Sequence, residues 1–572
     1  MNSLYLTLIG LTLLGLGYRF YASYISKKIY SLQDFTGEVP AKEFQDGIDF
    51  VPTKKNILFG HHFTSIAGAA PIIGPCIAAF WGWLPAMLWI ILGTVFMGAV
   101  HDFGALVVSV REKGKTIAEI TGTIINKRVK IIFLIFVMML SWLVLAVFAM
   151  AIAGLFVSIP TAVLPVNIEI LIALVVGFLL YKRKVDALIP SIVALILLYI
   201  FVYIGTFTPL SFDFIGMEKS SQSTLWIILL FIYSGIASLL PVWLLLQPRD
   251  YINSHQLVVG LALIFIGIGI AQPIVEAPMI RPSGEGVPSI FPLLFVTIAC
   301  GAISGYHGLI ASGTTSKQIT NIQDTKMIGY GSMLGEGTLA LASTIAAVAG
   351  ISLVTNCNLP SIGVVENLNW NIYYDTWAHA ATNKATAFVL GGGALIESLG
   401  VDPTLAKTIV AVLVISFAAT TLDTATRIQR FILTEVGQTL DISFLKNRYS
   451  ATIIAIVPAL ALTLWNIHDP VSGELTKAGW VLWPIFGATN QMLASLILMM
   501  LTIYFWRLDK PVLPLIIPFI FVTITTLTSL AINAQSFIGK NQILLVIDGI
   551  LITLILWMLY EGWMVYRAGK LK

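Results

Sequence analysis

Histidines and carboxylates lie inside or beside the most apolar parts of this chain. His61 and His62 stand in an apolar stretch that begins at Ile57, and His101 and Asp102 end the next one. Ionisable side chains at membrane depth are costly and usually mark paths for ions or substrates. Histidine changes its charge near neutral pH, and a desolvated carboxylate can also hold a proton there. These residue types therefore predict proton or ion movement within a membrane.

The segment that carries the paired histidines predicts an interrupted membrane helix. It is apolar enough to cross a bilayer, yet its first half holds Gly60, Gly68, Pro71, Gly74 and Pro75. Proline removes a backbone donor and glycine weakens a helical turn, so one continuous helix is not expected. Freed backbone groups are tolerated in hydrocarbon only where protein or a water-filled cavity satisfies them. A broken span of this kind indicates a transporter binding site.

The composition is that of an integral membrane protein. Hydrophobic residues make up 57% of the chain and charged residues 11%, with a mean hydropathy of +0.90, whereas soluble domains carry about 25% charged residues. The net charge of +4 is too small to suggest a nucleic-acid partner, no basic run is long enough for one, and none is expected. The spacing of Cys76, Cys300 and Cys357 predicts neither a disulfide framework nor a zinc site.

Apolar runs of about 20 residues predict an all-α polytopic membrane protein with about 15 transmembrane helices. The runs are 3–25, 57–80, 84–110, 129–157, 165–181, 186–207, 224–246, 254–272, 288–311, 328–352, 404–421, 449–467, 480–505, 511–533 and 543–565. The first is expected to be a retained helix because it lacks a signal-peptide pattern. Residues 386–400 are expected to form a short re-entrant or surface helix. Basic loops such as 111–130 and 182–184 place the N-terminus outside and the C-terminus in the cytoplasm.

The order of the spans predicts an inverted repeat. Five spans fall within residues 57–207 and five more within 224–421, and an odd number inverts the second unit relative to the first. The interrupted helix of the second unit is expected at Tyr233–Pro241. Residues 1–30 form a peripheral helix and residues 449–572 add further helices in this interpretation. Coincidence remains an alternative, since glycine and proline are frequent in membrane helices.

Six long sequence motifs resemble those of one transporter family. They are FGHHFTSIAGAAPIIGP from Phe59, GAVHDFGAL from Gly98, CGAISGYHGLIASGTTSKQI from Cys300, GYGSMLGEGTLAL from Gly329, FAATTLDTATRIQRFILTE from Phe417 and LWPIFGATNQMLA from Leu482. In order and over nearly the whole length, the chain resembles the carbon starvation protein A (CstA) family of bacterial inner-membrane permeases. The resemblance implies a secondary transporter related to the amino acid–polyamine–organocation group, with a LeuT-like five-plus-five inverted repeat. It also implies pyruvate or small peptides as substrates, with proton coupling for the pyruvate carriers.

The substrate is expected between the two interrupted helices. On the first, backbone N–H groups and a positive half-helix end suit a carboxylate. On the second, a short polar stretch supplies the opposing wall. The expected substrate-binding residues are Ile66, Ala67, Gly68, Ala69, Tyr233, Ser234 and Gly235. Close helix packing by the small residues is the structural alternative.

Polar groups near the cytoplasmic ends of several spans are expected to couple transport to an ion. They are His61, His62, Asp102, Ser312, Thr314, Thr315, Glu336 and Asp423. A proton is the first choice, since carboxylates and histidines can carry one. Sodium is the second, because hydroxyls and carbonyls near Ala67 are the oxygen ligands it prefers. No resident metal or cofactor is expected.

Other classes of function remain open at this point. A membrane oxidoreductase could bind haem between histidines such as His101 and His307. A nutrient-sensing channel is a further alternative. Neither a GxSxG nor an HExxH motif is present, so an enzyme is not expected. The sequence leaves the choice between pyruvate and peptide, and the oligomeric state, undecided.

Overall fold

A computed structural model describes residues 1–47, 49–359, 362–468 and 475–569, and these are mostly helical. The principal helices are Ser3–Leu16 (extended by π-helical turns to Ile29), Lys55–Ala67, Ala70–Ala78, Trp83–Gly93, Thr94–Gly98 (π), Ala99–Arg111, Ile117–Ile124, Lys127–Ser158, Val163–Tyr181, Leu188–Phe207, Lys219–Leu239, Leu246–Ala271, Ile290–Thr297, Gly305–Gly313, Lys326–Gly331 (π), Ser332–Val348, Thr386–Glu397, Pro403–Thr439, Arg448–Leu464, Trp483–Arg507, Leu513–Phe537 and Gln542–Arg567. Short helices cover Pro40–Glu43, Trp370–Tyr373, Trp377–Asn383, Ser443–Lys446 and Ala478–Val481. Two antiparallel hairpins pair Asn356–Leu359 with Gly363–Glu366, and Asn466–His468 with Leu475–Lys477.

Eleven of the described helices are long and apolar enough to cross a membrane, or twelve if one bent pair counts as a single span. The chain is therefore a multi-pass membrane protein. Thr386–Glu397 has only 12 residues, about 18 Å of helix, which is too short for a hydrocarbon core of about 30 Å. Its side chains from Ala387 to Ile396 are buried, so this segment is a short helix packed within protein.

The two longest helices form the centre of the bundle. Lys127–Ser158 and Pro403–Thr439 pack along each other, and the apolar part of Trp483–Arg507 is also buried. Local sequence fixes where the central helices begin. Asn126 accepts a hydrogen bond from the Val129 N–H, and Asp402 caps its helix before Pro403. Proline fits this first turn because no intrahelical donor is lost there.

The predicted interruption of the first long span is confirmed. Lys55–Ala67 and Ala70–Trp81 are bent by 45° around Gly68, whose φ is +41° and ψ −164°. That backbone region is essentially restricted to glycine. A Cβ on Gly68 would lie 2.8 Å from Thr421 Oγ1, so the break is also held closely against the central helix that carries Thr421.

A second interruption lies elsewhere than expected. Lys219–Leu239 runs unbroken through Tyr233–Gly235, and the chain leaves the helix only after Leu239. The expected span 288–311 is the broken one, with non-helical residues 298–304 between its two halves. Its turn needs Gly301, which has φ +91°. The Gly301 N–H donates to Glu336 Oε1 at 3.0 Å, and the Gly301 carbonyl accepts from Thr94 at 2.8 Å.

Two other spans have boundaries that apolar length did not predict. The helix expected at 254–272 begins at Leu246, because Gln247–Asn253 is helical although polar and largely buried. The helix expected at 404–421 continues to Thr439. Both extensions are polar, so hydropathy ended each span too early, and both bring charged side chains into the bundle.

Candidate functional site

A small cavity lies where the two broken helices meet. Its volume is about 20 Å³, the space of about one water molecule. Its lining comes from both breaks and from three further helices: Ser65, Ile66, Ala67, Gly68, Ala70, Val144, Phe148, Cys300, Ser304, Tyr306, His307, Ile310, Thr421, Phe486 and Asn490. Anything larger than water enters only after these elements separate.

Two half-helices begin at this cavity. Ala70–Ala78 starts just after the first break and Gly305–Gly313 just after the second. The opening turns of a helix leave N–H groups without intrahelical partners and carry the positive end of the helix dipole. On the second half-helix one such donor is already used, since the Tyr306 N–H donates to Asn490 Oδ1 at 3.0 Å. On the first half-helix Pro71 has no N–H, and the Ile72 and Ile73 N–H groups donate to the Ala69 carbonyl. The donors that the first break can offer an anion are therefore the N–H groups that precede Pro71.

A chain of buried ionisable groups runs from the cavity wall into the protein. Asp102 lies between two histidines, with Oδ1 2.7 Å from His101 Nδ1 and Oδ2 2.8 Å from His307 Nδ1. On its other side His307 faces Glu336, with Nε2 3.4 Å from Oε2. All four side chains are buried. The chain joins Ala99–Arg111 to the half-helix Gly305–Gly313 and to Ser332–Val348.

A second buried cluster centres on Arg249, whose side chain is fully buried. Arg249 Nε donates to Glu169 Oε1 at 3.0 Å, and Nη1 donates to Asp423 Oδ2 at 2.6 Å. Tyr233 donates to the same Asp423 oxygen at 2.7 Å, and Ser416 donates to Glu169 Oε2 at 2.5 Å. One cation thus faces two carboxylates. We call these five residues the Arg249 cluster.

The paired histidines have separate partners. His61 Nδ1 lies 2.6 Å from Asp250 Oδ2, which also accepts a hydrogen bond from Ser65 at 3.2 Å. His62 Nδ1 lies 2.8 Å from Thr315 Oγ1. His61 therefore points towards Leu246–Ala271, the helix that carries Arg249, and His62 towards the end of the second broken helix.

The expected substrate residues are only partly brought together. Ile66, Ala67 and Gly68 line the cavity, and Ala69 accepts the first hydrogen bonds of the next half-helix. Tyr233 belongs to the Arg249 cluster instead. Neither Ser234 nor Gly235 lines the cavity: Ser234 donates to the Phe231 carbonyl, and Gly235 faces Ile456.

The expected hydroxyl set is engaged in hydrogen bonds of its own. Ser312 donates to the Gly308 carbonyl and accepts from the Ile117 N–H. Thr314 donates to the carbonyl four residues before it. Thr315 is the member of the set that contacts the first broken helix, through His62 rather than through the carbonyls near Ala67.

Larger cavities lie near the side of the protein that carries Lys317. One of about 240 Å³ lies between the central helices and the end of the second broken helix, bounded by Ser312, Lys317 and Glu435. At another, Lys54 lies 3.1 Å from Asp186. Hydrogen bonds from the Leu188 backbone N–H and from Lys54 lower the pKa of this exposed Asp186 carboxyl.

The opposite side is closed by aromatic packing. The Arg281 guanidinium lies 3.9 Å from the ring centre of Phe80 and 4.7 Å from that of Trp370. Trp377 packs against Trp81 with ring centres 4.9 Å apart. These contacts join the end of the first broken helix to Arg281, which precedes the second broken helix, and to Trp370 and Trp377, which follow Ser332–Val348. The larger cavities and this aromatic packing therefore lie on opposite sides of the described part of the protein.

Sequence reasoning missed Glu169, Arg249 and Asp250. The signal for the last two was present in QPRDYINSHQ, a polar run from Gln247 that hydropathy assigned to a loop. Glu169 is a single carboxylate within an otherwise apolar span. Such a residue is itself a mark of function at membrane depth.

Known proteins resemble this chain over most of its length. The family model described as "Carbon starvation protein CstA" matches residues 2–529. "Peptide transporter CstA" of Campylobacter jejuni is 32% identical over 570 residues, which cover 92% of this chain and 80% of that protein. "Pyruvate/proton symporter BtsT" of Escherichia coli K12 is 31% identical over 600 residues, covering 94% and 82%. A manganese transporter structure from Eremococcus coleocola aligns with 91% of this chain and 99% of its own, at 12% identity and a TM-score of 0.45, too weakly to define the fold.

Proposed function

This chain belongs to the carbon starvation protein CstA family, and on that premise we propose that it is a proton-coupled secondary transporter for pyruvate or small peptides. The observation that carries the proposal is the cavity between two interrupted helices, with the start of a half-helix at each break. Binding at such a midplane site and alternating exposure of it are typical of secondary transporters. Transport rather than catalysis accounts for the buried charges. Uptake into the cell across the bacterial inner membrane is the expected direction.

The substrate carboxylate binds at the start of Ala70–Ala78. The helix dipole and the N–H groups that precede Pro71 favour an anion there without a dedicated arginine. Pyruvate and peptides both carry a carboxylate, so this end does not distinguish them. Because the cavity has room for about one water, substrate enters a more open form than this one. The residues that move apart are those at the two breaks.

The Arg249 cluster is the proposed site of the coupling proton. Arg249 supplies one positive charge against the carboxylates of Glu169 and Asp423, so the cluster keeps one excess negative charge unless it holds a proton. An unbalanced charge in a buried site is costly. Asp423 Oδ1 is the carboxylate oxygen of the cluster that has no hydrogen-bond partner among the described residues. The proton therefore binds at Asp423, while the adjacent Asp250 is paired with His61.

The proposed proton site and the cavity are linked by one helix, Pro403–Thr439. Asp423 lies two residues after Thr421, which lines the cavity and meets Gly68. Neutralising Asp423 weakens its attraction to Arg249, so Pro403–Thr439 can shift relative to Leu246–Ala271. Such a shift would alter the contact between Thr421 and Gly68, which holds the first break. Asp102 and Glu336, which contact the cavity-lining His307, remain expected participants in coupling. Sodium remains the second choice of coupling ion.

The test compares gradient-driven uptake with exchange in proteoliposomes. Asp423→Asn leaves the cluster permanently neutral, so uptake of labelled pyruvate or a dipeptide should no longer respond to an imposed proton gradient. Exchange of internal for external substrate should continue, because it needs no net proton movement. Asp441→Asn is the matched control, since Asp441 is 90% exposed just beyond the same helix. Full proton-driven uptake by Asp423→Asn, or a response to sodium alone in the parent protein, would overturn the assignment.

The five-plus-five repeat is proposed with new boundaries. The first unit comprises the broken helix 55–81, then 83–111, 127–158, 219–239 and 246–271. The second comprises the broken helix 290–313, then 326–348, 403–439, 448–464 and 483–507. Equivalent helices pack alike: the third helices pack on each other, the fourth pack on both third helices, and each fifth packs on its own broken helix. The hairpin 163–207 is then an insertion, which explains why the units differ from 57–207 and 224–421.

Fifteen crossings with an outside N-terminus complete the proposed topology. Contacts between loops are consistent with alternation of the chain between two faces. One face joins Ser3 to Pro273, Trp83 to Pro278 and Glu276 to Val348. The other joins Lys54 to Asp186, Lys130 to Glu435 and Asn126 to Glu561, and the excess of basic loops makes it cytoplasmic.

Cysteine labelling tests this orientation. In a Cys357→Ser background, an impermeant maleimide added to intact cells should label Val364→Cys, where the native side chain is 79% exposed. Asp186→Cys should react only after the cells are permeabilised. The reverse pattern would invert the topology. The haem alternative is tested on the same preparation, because bound haem would give the purified protein a Soret band.

A further inference from the structure

We propose that Cys300, His307 and Glu336 form a binding site for a divalent transition-metal ion of the zinc class. One ligand atom from each residue, a thiol sulfur, a ring nitrogen and a carboxylate oxygen, lies within 4.8 Å of the other two. All three residues are buried. They come from the second break, from the half-helix after it and from Ser332–Val348. Cys300 and His307 also line the cavity.

Each ligand is oriented by a hydrogen bond to an atom behind it. His307 Nδ1 faces Asp102 Oδ2 at 2.8 Å, which presents Nε2 on the opposite side of the ring. The Gly301 N–H donates to Glu336 Oε1 at 3.0 Å, which presents Oε2. The Asn490 side-chain amide donates to Cys300 Sγ at 3.3 Å. A carboxylate on the far ring nitrogen is the usual support of a metal-bound histidine.

The inward-facing atoms have unused bonding capacity. Neither His307 Nε2 nor Glu336 Oε2 has a hydrogen-bond partner among the described residues, although they lie 3.4 Å apart. Buried polar atoms are normally paired. A ligand bound by both atoms and by the neighbouring thiol would explain why neither atom has a partner. The spacing requires a modest contraction, since tetrahedral zinc places its ligands about 2.0–2.3 Å from the metal.

Charge and ligand type favour a dication of intermediate softness. A thiolate and a carboxylate bring two negative charges, which a divalent ion balances while neutral His307 adds none. Sulfur together with imidazole selects zinc-like ions over magnesium or calcium, which prefer oxygen. Binding releases the Cys300 thiol proton to solvent, and any proton held by His307 or Glu336 leaves with it. Three protein ligands leave a fourth position that water can take.

Cobalt(II) provides the test, because it replaces zinc and reports its ligands by colour. The full-length protein, purified in detergent and treated with chelator, is titrated with Co²⁺. We expect one ion per chain, the visible absorption of tetrahedral cobalt and a near-ultraviolet sulfur-to-cobalt charge-transfer band. Zinc should then displace the cobalt and remove both signals. This measurement involves no transport, so it stands or fails separately from the proposed function.

Substitutions then locate the ion. Cys300→Ser should lose the charge-transfer band, and Glu336→Gln should weaken cobalt binding. Cys357→Ser, which alters a thiol outside the cluster, should keep the parent spectrum. Cobalt bound at the exposed His379 and Asp375 pair would lack the sulfur band. The proposal is wrong if the parent protein shows no charge-transfer band, or if the band persists in Cys300→Ser.

Discussion

Gly68→Ala is the substitution whose outcome the structure defines most sharply. Gly68 has φ +41° and ψ −164°, and holding an L-residue in such a region costs about 1–3 kcal/mol. The new methyl group would lie 2.8 Å from Thr421 Oγ1 and 3.3 Å from the Phe148 ring, and overpacking of this kind adds about 1–3 kcal/mol. Together these effects amount to about 2–6 kcal/mol. The protein can lower that energy only by changing the first break.

The assay combines thermal unfolding in detergent with substrate uptake in proteoliposomes. Gly68→Ala should lower the unfolding temperature and abolish uptake. Adding Thr421→Ala removes the oxygen contact but not the backbone strain, so the double variant should recover part of the lost stability. Gly549→Ala is the control, because no atom of the described residues lies within 4 Å of its methyl position. A Gly68→Ala protein with the stability and uptake of the parent would refute this account of the break.

Two further predictions concern buried polar groups and are measured by thermal unfolding in detergent. Arg249→Met leaves the carboxylates of Glu169 and Asp423 without their cation, and breaking a buried pair this way should cost about 3–5 kcal/mol; adding Asp423→Asn should restore part of it. Asn490→Ala leaves the Tyr306 N–H and the Ser304 hydroxyl short of a partner, which should cost about 1–3 kcal/mol. An unchanged unfolding temperature in either single variant would contradict the corresponding reasoning.

Much of the architecture follows from local sequence. Apolar length located nearly all the long helices, and the glycines and prolines around Gly68 correctly predicted the first break. The short helix at 386–400 also followed from the sequence, because another membrane crossing there would place Arg427 and Arg430 outside the cell. These features depend on hydropathy and backbone chemistry, which act over a few residues.

The second break and the Arg249 cluster depend on contacts between distant residues. The sequence around Gly301 does not distinguish a glycine needed for a helix break from a glycine that allows close helix packing. The turn is held by hydrogen bonds with Glu336 and Thr94, which lie on other helices. Arg249 stands in a polar stretch that becomes buried only because Glu169 and Asp423 meet it there. The roles expected of Tyr233–Gly235 followed from composition alone, which cannot show the direction in which a helix faces.

The single excess carboxylate of the Arg249 cluster has a consequence for membrane voltage. A transporter that moves one proton with one pyruvate anion carries no net charge, so its accumulation would follow the pH difference alone. The same proton moved with a zwitterionic dipeptide carries one positive charge, worth about 2.3 kcal/mol for each 100 mV of potential. One protein could thus be indifferent to voltage for one nutrient and driven by it for another.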